Sequence, residues 1–302
     1  MVSSIANLAV LLVLAPFLLG VINRTKALVA GRTGPPLLQV YFDLAKLLRK
    51  GFVVSSTTTW VFLASPVLSV VAPVVAALLL PLGGRPALLS FTGDMLLFVG
   101  VFALARFFVA SAAMDTGSPF EGMGAAREVT FSALAEPALL FGMLALTRMS
   151  GSLTLTGMFD LGASAAWQKA SASVILILAS WFILLLAENA RVPFDDPTTH
   201  LELTMIHEVM VLDHAGPAFG FIVYGAALKL TVFAALLVML LIPSRPDSGA
   251  LALATFVGGL VGVGVVVGLV ESSMARLRLV RVPQLLVTAT LLAGFAVVLV
   301  LR

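Results

Sequence analysis

Apolar and polar positions in this chain fall into long blocks. Eight mainly apolar runs, at roughly 3–22, 65–82, 92–113, 131–148, 173–188, 217–242, 252–270 and 284–301, have the length and character of membrane-crossing helices. The pattern predicts an all-α, polytopic membrane protein with about eight transmembrane helices, residues 1–302 forming one transmembrane domain. Between the first two runs the period shortens. After the Gly/Pro turn at Gly34–Pro36, the residues Leu37, Leu38, Tyr41, Leu44, Ala45 and Leu48 recur at helical spacing, with Asp43, Lys46, Arg49 and Lys50 on other faces. This is an amphipathic surface helix, suited to the membrane surface or to a neighbouring subunit.

One segment breaks the apolar character most sharply. Ala187–Gly216 contains Glu188, Asp195, Asp196, Glu202, Glu208 and Asp213, with Arg191 as its single base, and all three histidines, His200, His207 and His214. Pro193 and Pro197 predict a loop over Arg191–Asp196. Asp196 as cap and Pro197 at the first helical position predict a helix from Pro197 to His214, closed by Gly216 and Pro217. On such a helix the histidines are seven apart and share one face, as a solvated or partner-facing stripe. Metal ligands on a helix usually sit three or four apart, so a zinc site is not expected.

Composition agrees with the pattern. The chain is 60% hydrophobic and 11% charged, with a mean hydropathy of +1.12. It has no cysteine, which excludes disulfides, cysteine-ligated clusters and a cysteine nucleophile. No phosphate-binding loop, dinucleotide fingerprint, zinc-protease motif or nucleophile elbow is present. The basic patches are short and lie beside spans, so nucleic acid is not an expected partner. The first apolar run has no basic residue before it and Arg24, Lys26 and Arg32 after it, which predicts a retained span with its N-terminus outside. With both termini outside, the inner loops hold Arg24, Lys26, Arg32, Lys46, Arg49, Lys50, Arg127, Arg191, Arg276, Arg278 and Arg281, against Arg85, Arg148, Lys169, Arg245 and Arg302 outside. The bias places Ala187–Gly216 in the cytoplasm of a cell (plasma or inner) membrane protein.

Charges inside spans carry the most information, because burying one is expensive unless it is paired or hydrated. Arg106 and Glu136 fall at similar depth in consecutive antiparallel spans, about 8–10 Å from the inner boundary at ~1.5 Å per residue, and are expected to pair. Lys229 lies near the middle of its span with no acid at matching depth in a neighbouring span, so its carboxylate is expected from another subunit. Glu128, Glu136, Glu188, Glu202, Glu208 and Asp213 form a candidate proton path into the membrane, together with Arg106 and Lys229. Asp115 and Glu121 read as solvated loop acids. Arg32, Asp43, Lys46, Arg49, Arg191, Asp195, Asp196, His200 and His207 form a candidate docking face.

The strings AENARVPFDDPTTHLELTMIHEVMVLDHAG and GRTGPPLLQVYFDLAKLLRKG resemble two inner loops of the respiratory complex I subunit 1 superfamily, in order and spacing. Within it, PFDDPTTHLELTMIHE is more similar to the membrane subunit of group 4 NiFe hydrogenases and formate hydrogenlyases than to the quinone-dependent branch. At Asp196 that branch has a leucine. Where this chain has Thr198, Thr199 and His200 it has an acidic run, while Glu202 keeps its place. The departures argue against a complete quinone site. The resemblance implies a membrane anchor and coupling subunit, without a cofactor of its own. Fe–S clusters and a NiFe centre are expected in hydrogenase-like small and large peripheral subunits, and antiporter-like membrane subunits are expected as further partners. Two other readings are a quinone-binding subunit of a respiratory NADH dehydrogenase and a self-contained ion transporter. Inverted repeats or broken helices, which a transporter would often show, are not evident.

Overall fold

The computed structural model describes residues 2–160, 167–168, 170–195, 205–242 and 248–302. Its helices are α1 (Val2–Val29), α2 (Gln39–Leu48), α3 (Trp60–Leu78), α4 (Asp94–Asp115), α5 (Pro119–Ser150), α6 (Leu155–Asp160), α7 (Ser171–Glu188), α8 (Gly216–Leu241), α9 (Gly249–Ser273) and α10 (Val282–Leu301). Eight of these, all but α2 and α6, are long and apolar enough to cross a membrane. No strand occurs among the described residues. The chain is a multi-pass, all-α membrane protein. Eight successive crossings place its two ends on one side of the bundle and the segment after α7 on the other, here called the loop side.

The middle of the bundle is α8. In its most apolar stretch 72% of residues are buried, against 22% for α4 and for the last helix. It packs against α1, α3, α7 and α9, and α2 lies across it. The outer helices show large apolar side chains such as Leu104 and Phe107 on α4 and Leu291 and Phe295 on α10, as a bilayer-facing wall requires.

Helices in lipid associate through close packing rather than through release of water, so small residues mark their crossings. A β-carbon at Gly225 of α8 would lie 2.2 Å from the Ser69 carbonyl oxygen of α3, and one at Gly142 of α5 would meet the Trp181 indole of α7 at 2.2 Å.

Prolines inside spans add a second device. Each removes the amide that would bond the carbonyl four residues earlier, and side chains meet two of the freed oxygens. Pro16 frees the Leu12 carbonyl, which the Tyr224 hydroxyl reaches at 3.2 Å. Pro66 frees the Phe62 carbonyl, which lies 3.4 Å from His214 Nε2. Pro73 frees the Ser69 carbonyl at the point where Gly225 crosses it.

The helix ends on the loop side differ from the hydropathy pattern. The fourth span begins at Pro119 rather than at 131, and the first runs on to Val29 rather than stopping at 22. At ~1.5 Å per residue, α5 is about 48 Å long, well beyond the ~30 Å apolar core of a bilayer. Glu121, Arg127 and Glu128 are therefore helical residues and not loop residues. Glu121 is fully buried and not solvated as expected: it accepts from the Thr116 hydroxyl and, at 3.0 Å, from the Asp213 amide. Asp115 caps α3, accepting from Thr59 N at 2.6 Å and Thr59 Oγ1 at 3.0 Å.

The surface helix forms as α2 with none of its residues buried. Leu38, Phe42 and Leu48 are exposed, and the Tyr41 hydroxyl donates to the Val13 carbonyl of α1, in the turn before Pro16.

Gly225→Val should force α3 and α8 apart. The expected cost is about 1–3 kcal/mol, as for other overpacked interiors, read as a lower midpoint of thermal unfolding in detergent. Gly258→Val, at a position with no neighbour within 4 Å of the added carbon, should leave that midpoint unchanged. Equal midpoints for both variants would show that the α3–α8 crossing does not depend on backbone contact.

Candidate functional site

Arg106 of α4 gathers three acids from two other helices, α5 and α7. Its side chain is only 9% exposed. Nη1 donates to Glu136 Oε1 at 2.5 Å, and Nη2 donates to Glu188 Oε1 and Oε2 at 2.9 and 3.0 Å. Nε faces Glu128 Oε1 at 3.8 Å, an ionic approach rather than a hydrogen bond. Lys229 Nζ of α8 lies 2.7 Å from Glu188 Oε2. Glu188 thus joins an arginine and a lysine, and three carboxylates surround two cations. The expected Arg106–Glu136 pair is present. The expectation that Lys229 lacks a same-chain partner is wrong: Glu188 is the last residue of α7, and only the packing of α7 beside α8 brings its carboxylate to the lysine.

Two cavities border this cluster, and a third adjoins the first of them at His207, Ile222 and Ala226. One, of about 550 Å³, is lined by Ser69, Phe102, Arg106, Glu128, His207 and Lys229 among others. A second, of about 390 Å³, lies between α5, α7 and α10 and includes Glu128, Glu188 and Asp195. A third, of about 680 Å³, opens between α1 and α8 and carries Asn189, Arg191, His207 and Glu208 among apolar residues.

The loop after α7 is fixed at both ends. The chain leaves through Ala190, at a left-handed φ of 49°, and a cis Val192–Pro193 bond. Arg191 is buried and faces Glu271 Oε1 at 3.4 Å, and Lys26 faces Glu271 Oε2 at 2.8 Å. Asp195 Oδ1 pairs with Arg276 at 2.9 Å, while its Oδ2 accepts from the amides of Ile206 and His207 at 2.9 and 3.2 Å. Leu277 N donates to the Pro193 carbonyl at 2.9 Å. Glu271, Lys26 and Arg276 were not singled out by the sequence. The signal for Glu271 was its place as a lone acid at the head of an otherwise basic loop.

Asp196, His200 and Glu202 lie outside the described residues. From 205 to 214 the expected helix is absent. The chain there makes a bend and one 3-10 turn, Glu208–Val211. The amides of 206 and 207 are committed to Asp195. Val209 and Met210 press on Gly124, where a β-carbon would meet them at 2.4 and 3.0 Å. The solvated histidine stripe also fails. His214 is buried and stacked on Phe62, with centroids 4.0 Å apart. His207 is half-buried between two cavities. Burial holds both imidazoles below the ordinary histidine value. Of the other expected path residues, Glu208 lines the third cavity, and Asp213 is exposed. Arg32, Asp43, Lys46 and Arg49 are all exposed on the loop side, whereas Arg191 and Asp195 are buried within the fold.

The family model described as NADH dehydrogenase matches residues 2–302. Formate hydrogenlyase subunit 4 of Escherichia coli (strain K12) is 34% identical over 284 residues, 91% of this chain and 91% of that protein. Hydrogenase-4 component C of the same organism is 31% identical over 240 residues, 80% of this chain and 75% of that protein. A chain in the structure of the membrane-bound sulfane sulfur reductase, an archaeal respiratory membrane complex, is 17% identical, yet superposes with a TM-score of 0.83 over 99% of this chain and 98% of its own. That likeness shows the shared fold. With the whole apolar bundle matched and two relatives above 30% identity, this chain belongs to the NADH dehydrogenase family of membrane subunits, the complex I subunit 1 superfamily, with hydrogenase-type members among its relatives.

Proposed function

We propose that this chain is the membrane anchor and coupling subunit of a multi-subunit membrane-bound hydrogenase of the hydrogenase-4/formate hydrogenlyase type. In this reading the loop side faces the cytoplasm, both termini lie outside, and the exposed residues of the loop side receive the peripheral arm. Fe–S clusters and the NiFe centre reside in that arm, and electron transfer there is linked to proton or sodium translocation through this chain towards antiporter-like subunits.

The observation that carries the reading is the Arg106 cluster. A structural ion pair needs one acid. Here three acids share two cations beside cavities on the loop side, so removing or adding one positive charge changes which carboxylate is left over. Such a group of coupled charges can pass a proton or respond to one arriving.

Glu136→Gln and Glu188→Gln keep shape but lose the exchangeable proton, and Lys229→Met removes the shared cation. Each should leave assembly intact and lower ion uptake per redox turnover in proteoliposomes, on the order of 10²-fold in the transfer step. The redox reaction with artificial acceptors should fall less. If the number of ions moved per turnover is the same in all three, the cluster is structural and the coupling role is lost.

Docking has its own test. Arg32→Glu and Arg49→Glu reverse exposed charges on the loop side and should weaken association with the soluble subunits, more so at low salt. A complex that survives both changes at moderate salt would move the docking face elsewhere.

A second reading, a quinone-binding subunit of a respiratory NADH dehydrogenase, is favoured by the family match and by the roomy, mostly apolar cavity between α1 and α8. Under the hydrogenase reading, the purified complex turns over without added quinone and resists quinone-site inhibitors. Stoichiometric bound quinone with inhibitor-sensitive turnover would favour the second reading. Purification as a fully active single chain would instead favour a self-contained transporter.

A further inference from the structure

His207 stands in an unusual place. It lines both the cavity that holds Arg106, Glu128 and Lys229 and the cavity between α1 and α8 that holds Arg191 and Glu208. The two cavities share few other walls. Ile222 and Ala226 of α8 are common to both, and neither can carry a proton. His207 is thus the titratable side chain that belongs to both spaces. Its backbone is held: the amide donates to Asp195 Oδ2, and Asp195 is anchored by Arg276. Its ring is not held, since no hydrogen bond to either ring nitrogen is found among the described residues. A fixed backbone with an uncommitted, half-buried imidazole on a wall between two cavities leaves the ring nitrogens free to exchange protons with either space.

We propose that His207 relays protons between the cavity at α1 and α8 and the Arg106 carboxylate cluster. This rests on the coupling role proposed above and assigns its cytoplasm-side step to one residue. The step balances within the imidazole. One ring nitrogen takes a proton from water or from Glu208, forming an N–H bond. The other nitrogen releases its proton towards Glu128, breaking one. The ring is left neutral in the other tautomer, and rotation about its side-chain bonds turns the new N–H towards Glu128 and the bare nitrogen back to the first cavity, ready for another proton.

The surroundings set the working range. Glu128 on α5, Glu188 on α7, Lys229 on α8 and Asp195 in the loop all act on the ring, with Glu208 its chain neighbour and Arg191 on the same cavity. Burial lowers the affinity of the ring for a proton, Lys229 lowers it further, and Glu128, Asp195 and Glu188 oppose them. The resting imidazole is neutral near pH 7, as a relay that must accept before it donates requires.

The test uses the assembled complex in proteoliposomes, with proton uptake measured against redox turnover on the same sample. His207→Ala should lower protons moved per turnover on the order of 10²-fold, and added imidazole, small enough for the space left, should restore a large part. His207→Gln, which keeps bulk and polarity but does not titrate, should show the same loss and should flatten the pH dependence of the ratio between pH 5 and 8, the range in which histidine ordinarily changes charge. Glu188→Gln serves as the reference. An unchanged ratio in both His207 variants, with a reduced one in Glu188→Gln, would overturn the relay and leave the coupling role standing. Unchanged ratios in all three would overturn the coupling role itself. If His207→Ala fails to assemble, His207→Gln decides alone. Normal transport in that variant would overturn the relay, and so would loss in the alanine variant that imidazole does not restore.

Discussion

A guanidinium cannot be left bare inside a membrane, and much of this structure follows from satisfying one. Arg106 stays charged at any relevant pH, so acids must come to it. They come from α5 and from the end of α7, and Lys229 of α8 shares one of them. Four spans are thereby tied at one depth. Removing a single partner from such a buried group typically costs about 3–5 kcal/mol, because a charge is left uncompensated. The arrangement stores a strong preference for one pattern of charges, together with alternatives reached by moving a proton. A structural role and the proposed coupling role are two consequences of the same energetics.

A second ionic layer lies at the loop side and is separate in purpose. Glu271 holds Lys26 of α1 and Arg191 of the loop, and Asp195 holds Arg276 together with two returning amides. These contacts fix both ends of the segment after α7 against α1 and α9. They also fix the walls of the cavities, because Arg191, Asp195 and His207 are wall residues. Buried ion pairs contribute little net stability compared with apolar packing. Their effect here is geometric: they hold the backbone of His207 at the partition between two cavities.

The in-span prolines show how local cost is offset by tertiary contact. Each removes a helix hydrogen bond, yet the freed carbonyls of Leu12 and Phe62 are met by Tyr224 and His214, and that of Ser69 accommodates the backbone of Gly225. Irregular backbone is tolerated at membrane depth where protein groups re-satisfy it. Ser69 and Pro73 also line the cavity beside Arg106.

Much of this was written in the linear pattern. Apolar runs of spanning length give eight crossings whatever their packing, because hydrocarbon thickness sets the length and unpaired backbone groups force a helix. The periodicity of Leu38, Tyr41, Leu44 and Leu48 likewise gave the surface helix, and the cost of a buried charge paired Arg106 with Glu136. Tertiary structure decided the rest. Hydropathy stopped the fourth span at 131 because Glu121, Arg127 and Glu128 are charged, whereas a helix end that protrudes beyond the bilayer or is walled in by protein tolerates them. Proline and capping signals predicted a helix to His214, but Asp195 captured the amides of Ile206 and His207 and a 3-10 turn formed instead. Lys229 looked partnerless because depth counted along one helix says nothing about which helix end lies beside it. Contacts between residues far apart in the chain are set by which helices become neighbours, and that is fixed by packing at positions such as Gly225 and Gly142, whose role no local pattern of hydrophobicity reveals.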